Sequence, residues 1–195
     1  MWKNILPGVL ILIFIYLLIP EKKISHGPGI IAAQVPQQVN LQNQKSFLHN
    51  NFWVTPLAKF SVEARVLSKN WHRFNRYRKI VPVDLALGWG KMSDESILKE
   101  FKIYQRGMKY YWSSKTMPIP RKEIISHSAN MHIIPANEQI RKKMKKIRRG
   151  HHIKIRGYLV KIRGKNGKNW GSSMTRTDWG NGACELVWVE HFEIL

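Results

Sequence analysis

One cysteine, Cys184, stands in the 195 residues, so no intramolecular disulfide can form and cysteine usage leaves the redox compartment open. Acidic residues are scarce: 12 Asp and Glu stand against 33 Lys and Arg, a formal net charge of +21. Long apolar runs are missing too, apart from one at the start, which excludes a polytopic membrane protein. No G-x-S-x-G, phosphate-binding loop, dinucleotide fingerprint or H-E-x-x-H spacing occurs, and neither does zinc-finger spacing or an RNP-like aromatic motif. What is present is the material of a folding chain, with 44% apolar residues and 8 Trp, which argues against wholesale disorder, a collagen or a coiled-coil rod. The length suits one ordinary domain and a tail.

The apolar run, Ile5 to Pro20, is 16 residues without a charge. As a helix it would span about 24 Å, a little short of a hydrocarbon core of about 30 Å. No small-x-small cleavage site follows it, and the first small pair is Ala32-Ala33. Residues 1–20 therefore read as an uncleaved transmembrane signal anchor, touching lipid through residues 2–20. Lys3 on one flank balances Lys22 and Lys23 on the other, so the rule of basic flanks is tied. The short head favours a single-pass inner-membrane protein with an exported, periplasmic or extracytoplasmic body.

Residues 21–50 carry Gly27-Pro28-Gly29, Pro36 and a Gln/Asn-rich stretch, the composition of a flexible linker. The folded domain is expected over 51–195. Within it Phe60 to Leu67 alternates like a half-buried strand, and Val81 to Leu87 is a second apolar run closed by Gly88-Trp89-Gly90. Ser93 to Phe101 reads as a short helix, and Met108 to Trp112 as an aromatic strand. The clearest helix follows Pro135, with Asn137 as N-cap, Ile140, Met144 and Ile147 on one face and Gly150 to end it. From His151 to Ile162 a strand changes phase at Gly157, the mark of a bend or bulge. Asn166-Gly167 marks a hairpin turn, Asn169 to Arg176 a return strand, and Ala183 to Val189 a final one. The expected class is α+β: an N-terminal transmembrane helix, then a small antiparallel, partly closed sheet with one or two helices.

Arg121 to Lys168 holds 15 Lys or Arg against Glu123 and Glu138. Such a tract suits anionic lipid head groups or an envelope protein partner, or else is a solvated helix face; nucleic acid is the weaker target. Two stretches carry reactive groups. In Ser126 to His132, His127 and His132 offer a general base, with Ser128 and Asn130 as ligand-binding groups. In Ser172 to Glu185, Arg176, Asp178 and Glu185 suit either an ion-pair network around a Gly-rich loop or a polar ligand. Cys184 paired with His127 or His132 would make a thiolate nucleophile, but its strand phase with Leu186 and Trp188 reads as a buried, inert thiol. No second paired-ligand motif completes a metal site, and neither metal nor cofactor is expected.

The phrases Asp84-Leu85-Ala86-Leu87-Gly88-Trp89-Gly90, Ser126 to His132 and Gly182-Ala183-Cys184-Glu185-Leu186-Val187-Trp188-Val189 resemble those of a group of uncharacterised bacterial proteins that carry an N-terminal hydrophobic segment. The resemblance covers roughly residues 80–190, implies a bacterial envelope protein and transfers no catalytic residue. The leading expectation is thus a membrane-anchored envelope protein whose basic domain binds or scaffolds. The alternatives are a hydrolase built on His127, His132, Asp178 and Glu185, and a nucleic-acid-binding domain.

Overall fold

Twenty consecutive residues, Phe52–Trp71, form a single strand, and the fold is organised around it. A computed structural model of the chain describes residues 22–74, 77–165, 167–175, 177, 178, 180 and 182–195. In chain order these form β1 (Gln37–Asn40), β2 (Phe47–His49), β3 (Phe52–Trp71), β4 (Val83–Gly88), α1 (Glu95–Leu98), β5 (Phe101–Arg106), β6 (Lys109–Ser114), α2 (Arg121–Ser126), β7 (Ser128–Pro135), α3 (Glu138–Met144), β8 (His152–Gly164), β9 (Asn169–Gly171) and β10 (Glu185–Ile194).

A strand of that length outruns any one partner. The first half of β3 pairs with β1 and β2 on one side, Phe52 to Arg65 pair with β8 on the other, and Arg65 to Trp71 pair with β4. The β3–β8 pairing closes a ring, β3-β4-β7-β10-β8 and back to β3. Four of its five pairings are antiparallel, and β7–β10 is parallel. Five strands in the order 1-2-3-5-4, with a helix crossing between the third and fourth, make an OB-type barrel. Val62, Ala64, Val66, Val83, Leu85, Leu87, Met131, Ile133, Ile153, Ile155, Val187 and Val189 belong to its filling. Alternation along each strand places them there and leaves the other residues outside.

The helix after Pro135 forms as its pattern predicts. The Asn137 side chain accepts from the Ile140 amide at 3.0 Å, and Ile140, Met144 and Ile147 join the barrel core. In the first short helix the cap is Asp94, not Ser93: its carboxylate accepts from the Ser96 amide, and Ser93 is buried.

Several expectations are corrected. The α+β class gives way to a mostly β architecture, because the helices among the described residues are four, six and seven residues long. The sheet is a closed barrel with one parallel pairing, not a partly closed antiparallel sheet. The expected anchor over 1–20 lies outside the described residues. Among the described residues no helix is long and apolar enough to cross a membrane, so the transmembrane-helix and single-pass inner-membrane assignments are withdrawn. The stretch read as a linker is held along the barrel. Its β1 and β2 add to β3, Ala32 is fully buried, and the Ile24 amide donates to the Arg149 carbonyl. Glu95 clamps its start, accepting from Arg65, Lys23, Ser25 and the His26 amide. Burial pushes the Glu95 carboxyl up, but those four donors overcome it and hold the group well below the usual carboxylate range.

The expected bend or bulge at Gly157 is not in its own strand: β8 runs unbroken from His152 to Gly164, with Ile153, Ile155 and Leu159 in the barrel core and Val160 and Ile162 in an outer apolar cluster. The register slips lie on its neighbours, between Pro56 and Ala58 on β3 and between Val189 and His191 on β10. A Cβ on Gly157 would lie 1.9 Å from the Trp188 carbonyl oxygen, backbone that cannot yield. Gly157→Ala is expected to destabilise the barrel by about 2 kcal/mol. Gly171→Ala, with nothing within 4 Å of the new methyl, should stay within about 0.5 kcal/mol of the parent in urea denaturation.

Candidate active site

The outward positions of β4 and β7 ought to meet water or apolar cover, yet they carry Asp84 on β4 and Ser128, Asn130 and His132 on β7, all buried. Apolar clusters flank them. Val54, Ile80, Val81, Ile134, Val160, Ile162, Leu186 and Trp188 lie on one side, and Leu67, Ala86, Met92, Leu98, Phe101, Ile103, Ile119 and Ile124 on the other. A polar strip enclosed between such clusters must satisfy its own hydrogen bonds.

Much of it does so across strands, although Asp84 Oδ2 is buried without a hydrogen-bond partner among the described residues. Asp84 and His132 are direct partners in the β4–β7 register, and Asp84 Oδ1 lies 2.7 Å from His132 Nδ1. The same oxygen lies 2.9 Å from Nε2 of His72, just beyond the end of β3. Trp170 of β9 sets its ring edge-on to His132 with centroids 4.7 Å apart. The Cys184 thiol lies close enough to the imidazole to act on its protonation, and with Nδ1 held by Asp84 the nitrogen not engaged by the carboxylate is Nε2. Parallel pairing of β10 with β7 sets Glu185 opposite Met131, which brings Cys184 alongside Asn130. Asn130 Nδ2 lies 3.5 Å from Cys184 Sγ, while Gln105 Nε2 donates to Asn130 Oδ1 at 2.7 Å and fixes the amide with its NH2 toward the sulfur.

Burial disfavours the charged forms of both Asp84 and His132, but their mutual attraction wins. Burial pushes the Asp84 carboxyl up; hydrogen bonds from His132 and His72, with their charges, bring it below its ordinary value. Burial pushes the His132 imidazolium down; the bonds and charges of Asp84 and Cys184 raise it to about 9. Asp84, His132 and Cys184 thus form a relay from a buried carboxylate through an imidazole to a thiol.

The relay opens on a cleft of about 530 Å³. One wall is Lys109, Tyr110, Tyr111 and Trp112 of β6, and Cys184 lines it with Ser128, Asn130, Asp178 and Glu185. Cys184 is half-buried, not sealed. Its partners in strand phase, Leu186 and Trp188, do face an apolar cluster, but that cluster ends short of Cys184. Among the described residues no group of three or more His, Cys, Asp and Glu is arranged to hold a metal.

Of the residues expected from the sequence, Ser128, Asn130, Asp178 and Glu185 meet in this cleft, and His132 joins them through Cys184. His127 does not. Its Nδ1 faces the Glu123 carbonyl at 2.9 Å and its ring packs on Gly90, a structural role at the end of α2. Asp178 is held by the Ser173 hydroxyl at 2.5 Å, and Ser128 donates to the Ile124 carbonyl at 2.6 Å. Arg176 lies outside the described residues. The residues that sequence reasoning missed are Asp84, His72 and Gln105. Asp84 had a signal: it breaks the apolar run Val81 to Leu87 on the alternate phase, as His132 breaks Met131 to Ile134.

Because the folded pKa of His132 stands above its unfolded value of 6.5, the stabilisation from its proton is complete below pH 6.5 and is lost as pH rises through about 9. The gap in Tm between the parent and Asp84→Asn should therefore be widest near pH 6 and narrow towards pH 10; a gap constant with pH would contradict the ion pair. No protein-family model, curated protein or solved structure matches the chain.

Proposed function

We propose that the protein is a thiol-dependent hydrolase acting on acyl compounds such as amides or esters, with Cys184 as nucleophile, His132 as proton carrier, Asp84 as its orienting partner and Asn130 as donor to the carbonyl oxygen. The observation that carries this reading is one imidazole bonded through Nδ1 to a buried carboxylate and acted on by a neighbouring thiol that lines a cleft. The thiolate is the nucleophilic form of a cysteine, and a neighbouring imidazole can carry the thiol proton. The thiolate attacks the carbonyl carbon, a C–S bond forms, and the π electrons move to oxygen beside Asn130 Nδ2. Collapse of that adduct breaks the bond to the leaving amine or alcohol, which takes the proton from His132. Water then attacks the acyl-sulfur bond, His132 accepts its proton, and release of the acid returns the sulfur to its starting state.

A role confined to binding accounts less well for this arrangement. Surface Lys and Arg suffice to hold a polyanion, whereas a buried carboxylate aimed through an imidazole at sulfur serves chemistry. The nucleic-acid reading is also weaker. Barrels of this type bind oligonucleotides on the face of their second and third strands, and here that face carries the buried polar strip.

4-Nitrophenyl acetate tests the mechanism. The parent should give a burst of about one nitrophenolate per protein as the acyl-enzyme forms, and Cys184→Ala none. Iodoacetamide alkylation of Cys184 at pH 6 should slow at least about tenfold in His132→Asn. Absence of a burst, with alkylation indifferent to His132, would refute the assignment.

A further inference from the structure

We infer that the substrate of this site is a polypeptide, bound in extended form as a third strand along the outer edge of β6. This deepens the hydrolase reading and rests on it.

The β5–β6 hairpin forms a sheet of its own, and among the described residues β6 pairs only with β5. The two strands are joined by Gly107 and Met108 between the paired residues Arg106 and Lys109. Gly107 has φ +64°, as the first residue of a two-residue hairpin turn requires. In such a hairpin the closing pair exchanges backbone hydrogen bonds, and bonded and non-bonded pairs then alternate. Arg106 with Lys109 and Tyr104 with Tyr111 are bonded pairs, so the backbone N–H and C=O of Tyr110 and Trp112 point away from β5.

Those outward groups face the cleft. Lys109, Tyr110, Tyr111 and Trp112 all line it, although successive side chains of a strand point to opposite faces. Consecutive residues share one cleft only when it runs along the edge of the strand. The edge also begins at the reactive end: the Met108 carbonyl, next to Lys109, accepts from Asn130 Nδ2 at 3.3 Å and lies 3.9 Å from Cys184 Sγ. A row of backbone donors and acceptors leading to a nucleophile matches an extended peptide, which adds to a sheet edge through its own main chain. A small ester or amide would leave most of that row unused. Across from it, Ile125 and Ala129 supply apolar wall for alternate side chains of the bound strand.

The test uses the intact protein and modifies only the reagent, so folding is not at issue. Acetyl-trialanyl chloromethyl ketone should alkylate Cys184 at least about tenfold faster than acetyl-alanyl chloromethyl ketone, since each added residue pair brings edge hydrogen bonds. N-methylation of the amide that donates to β6 should remove most of that gain, and N-methylation of the next amide along should leave it intact. Equal rates for the short and long reagents, or no alternation on N-methylation, would overturn the peptide assignment. Iodoacetamide run in parallel separates the two ideas. Fast, His132-dependent alkylation without a peptide preference defeats only the substrate class, while slow, His132-independent alkylation defeats the hydrolase as well.

Discussion

The buried carboxylate of Asp84 is the constraint on which the site depends. A charge enclosed outside the barrel wall, between two apolar clusters, is unfavourable unless it is paired and hydrogen-bonded. One oxygen meets two imidazoles, His132 across the β4–β7 register and His72 at the end of β3, while Oδ2 is buried without a hydrogen-bond partner among the described residues. Holding His132 through Nδ1 leaves its other nitrogen unengaged by the carboxylate. The orientation of the base follows from that contact, and Asp84 and Cys184 together raise the affinity of His132 for its proton.

The barrel supplies the positions. β4 and β7 pair antiparallel, setting Asp84 opposite His132, and the parallel pairing of β10 delivers Cys184 beside Asn130. Three segments far apart in sequence thus meet through two direct strand pairings, with β7 between β4 and β10. The same outer face is covered by the β5–β6 hairpin, which contributes Gln105 to fix the Asn130 amide and the β6 edge to wall the cleft. Packing and chemistry share these elements: Tyr110 and Trp112 pack against the apolar cluster that supports the hairpin and also line the cleft.

Local features of the fold were legible in the sequence, and long-range ones were not. The N-cap at Asn137 and the helix face of Ile140, Met144 and Ile147 are written in neighbouring residues, and the structure has both. Ring closure was out of reach, because nothing local states that the two ends of β3 take different partners. For the same reason Asp84 passed as part of an apolar run, since a lone carboxylate acquires meaning only from the strand that lies opposite. Cys184 was misread for a related cause: its phase with Leu186 and Trp188 is real, but the apolar cover they share stops one position short of it. The Gln/Asn-rich stretch looked like a tether because main-chain pairing to an edge asks little of side chains.

The coupling among Asp84, His132 and Cys184 is best measured on the His132 ring itself, by following its nitrogen resonances with pH in the parent and in Cys184→Ala. The account predicts a midpoint near 9 in the parent and a clear fall when the sulfur is removed. A midpoint at the ordinary histidine value, unmoved by loss of Cys184, would show that the three side chains do not act as one unit.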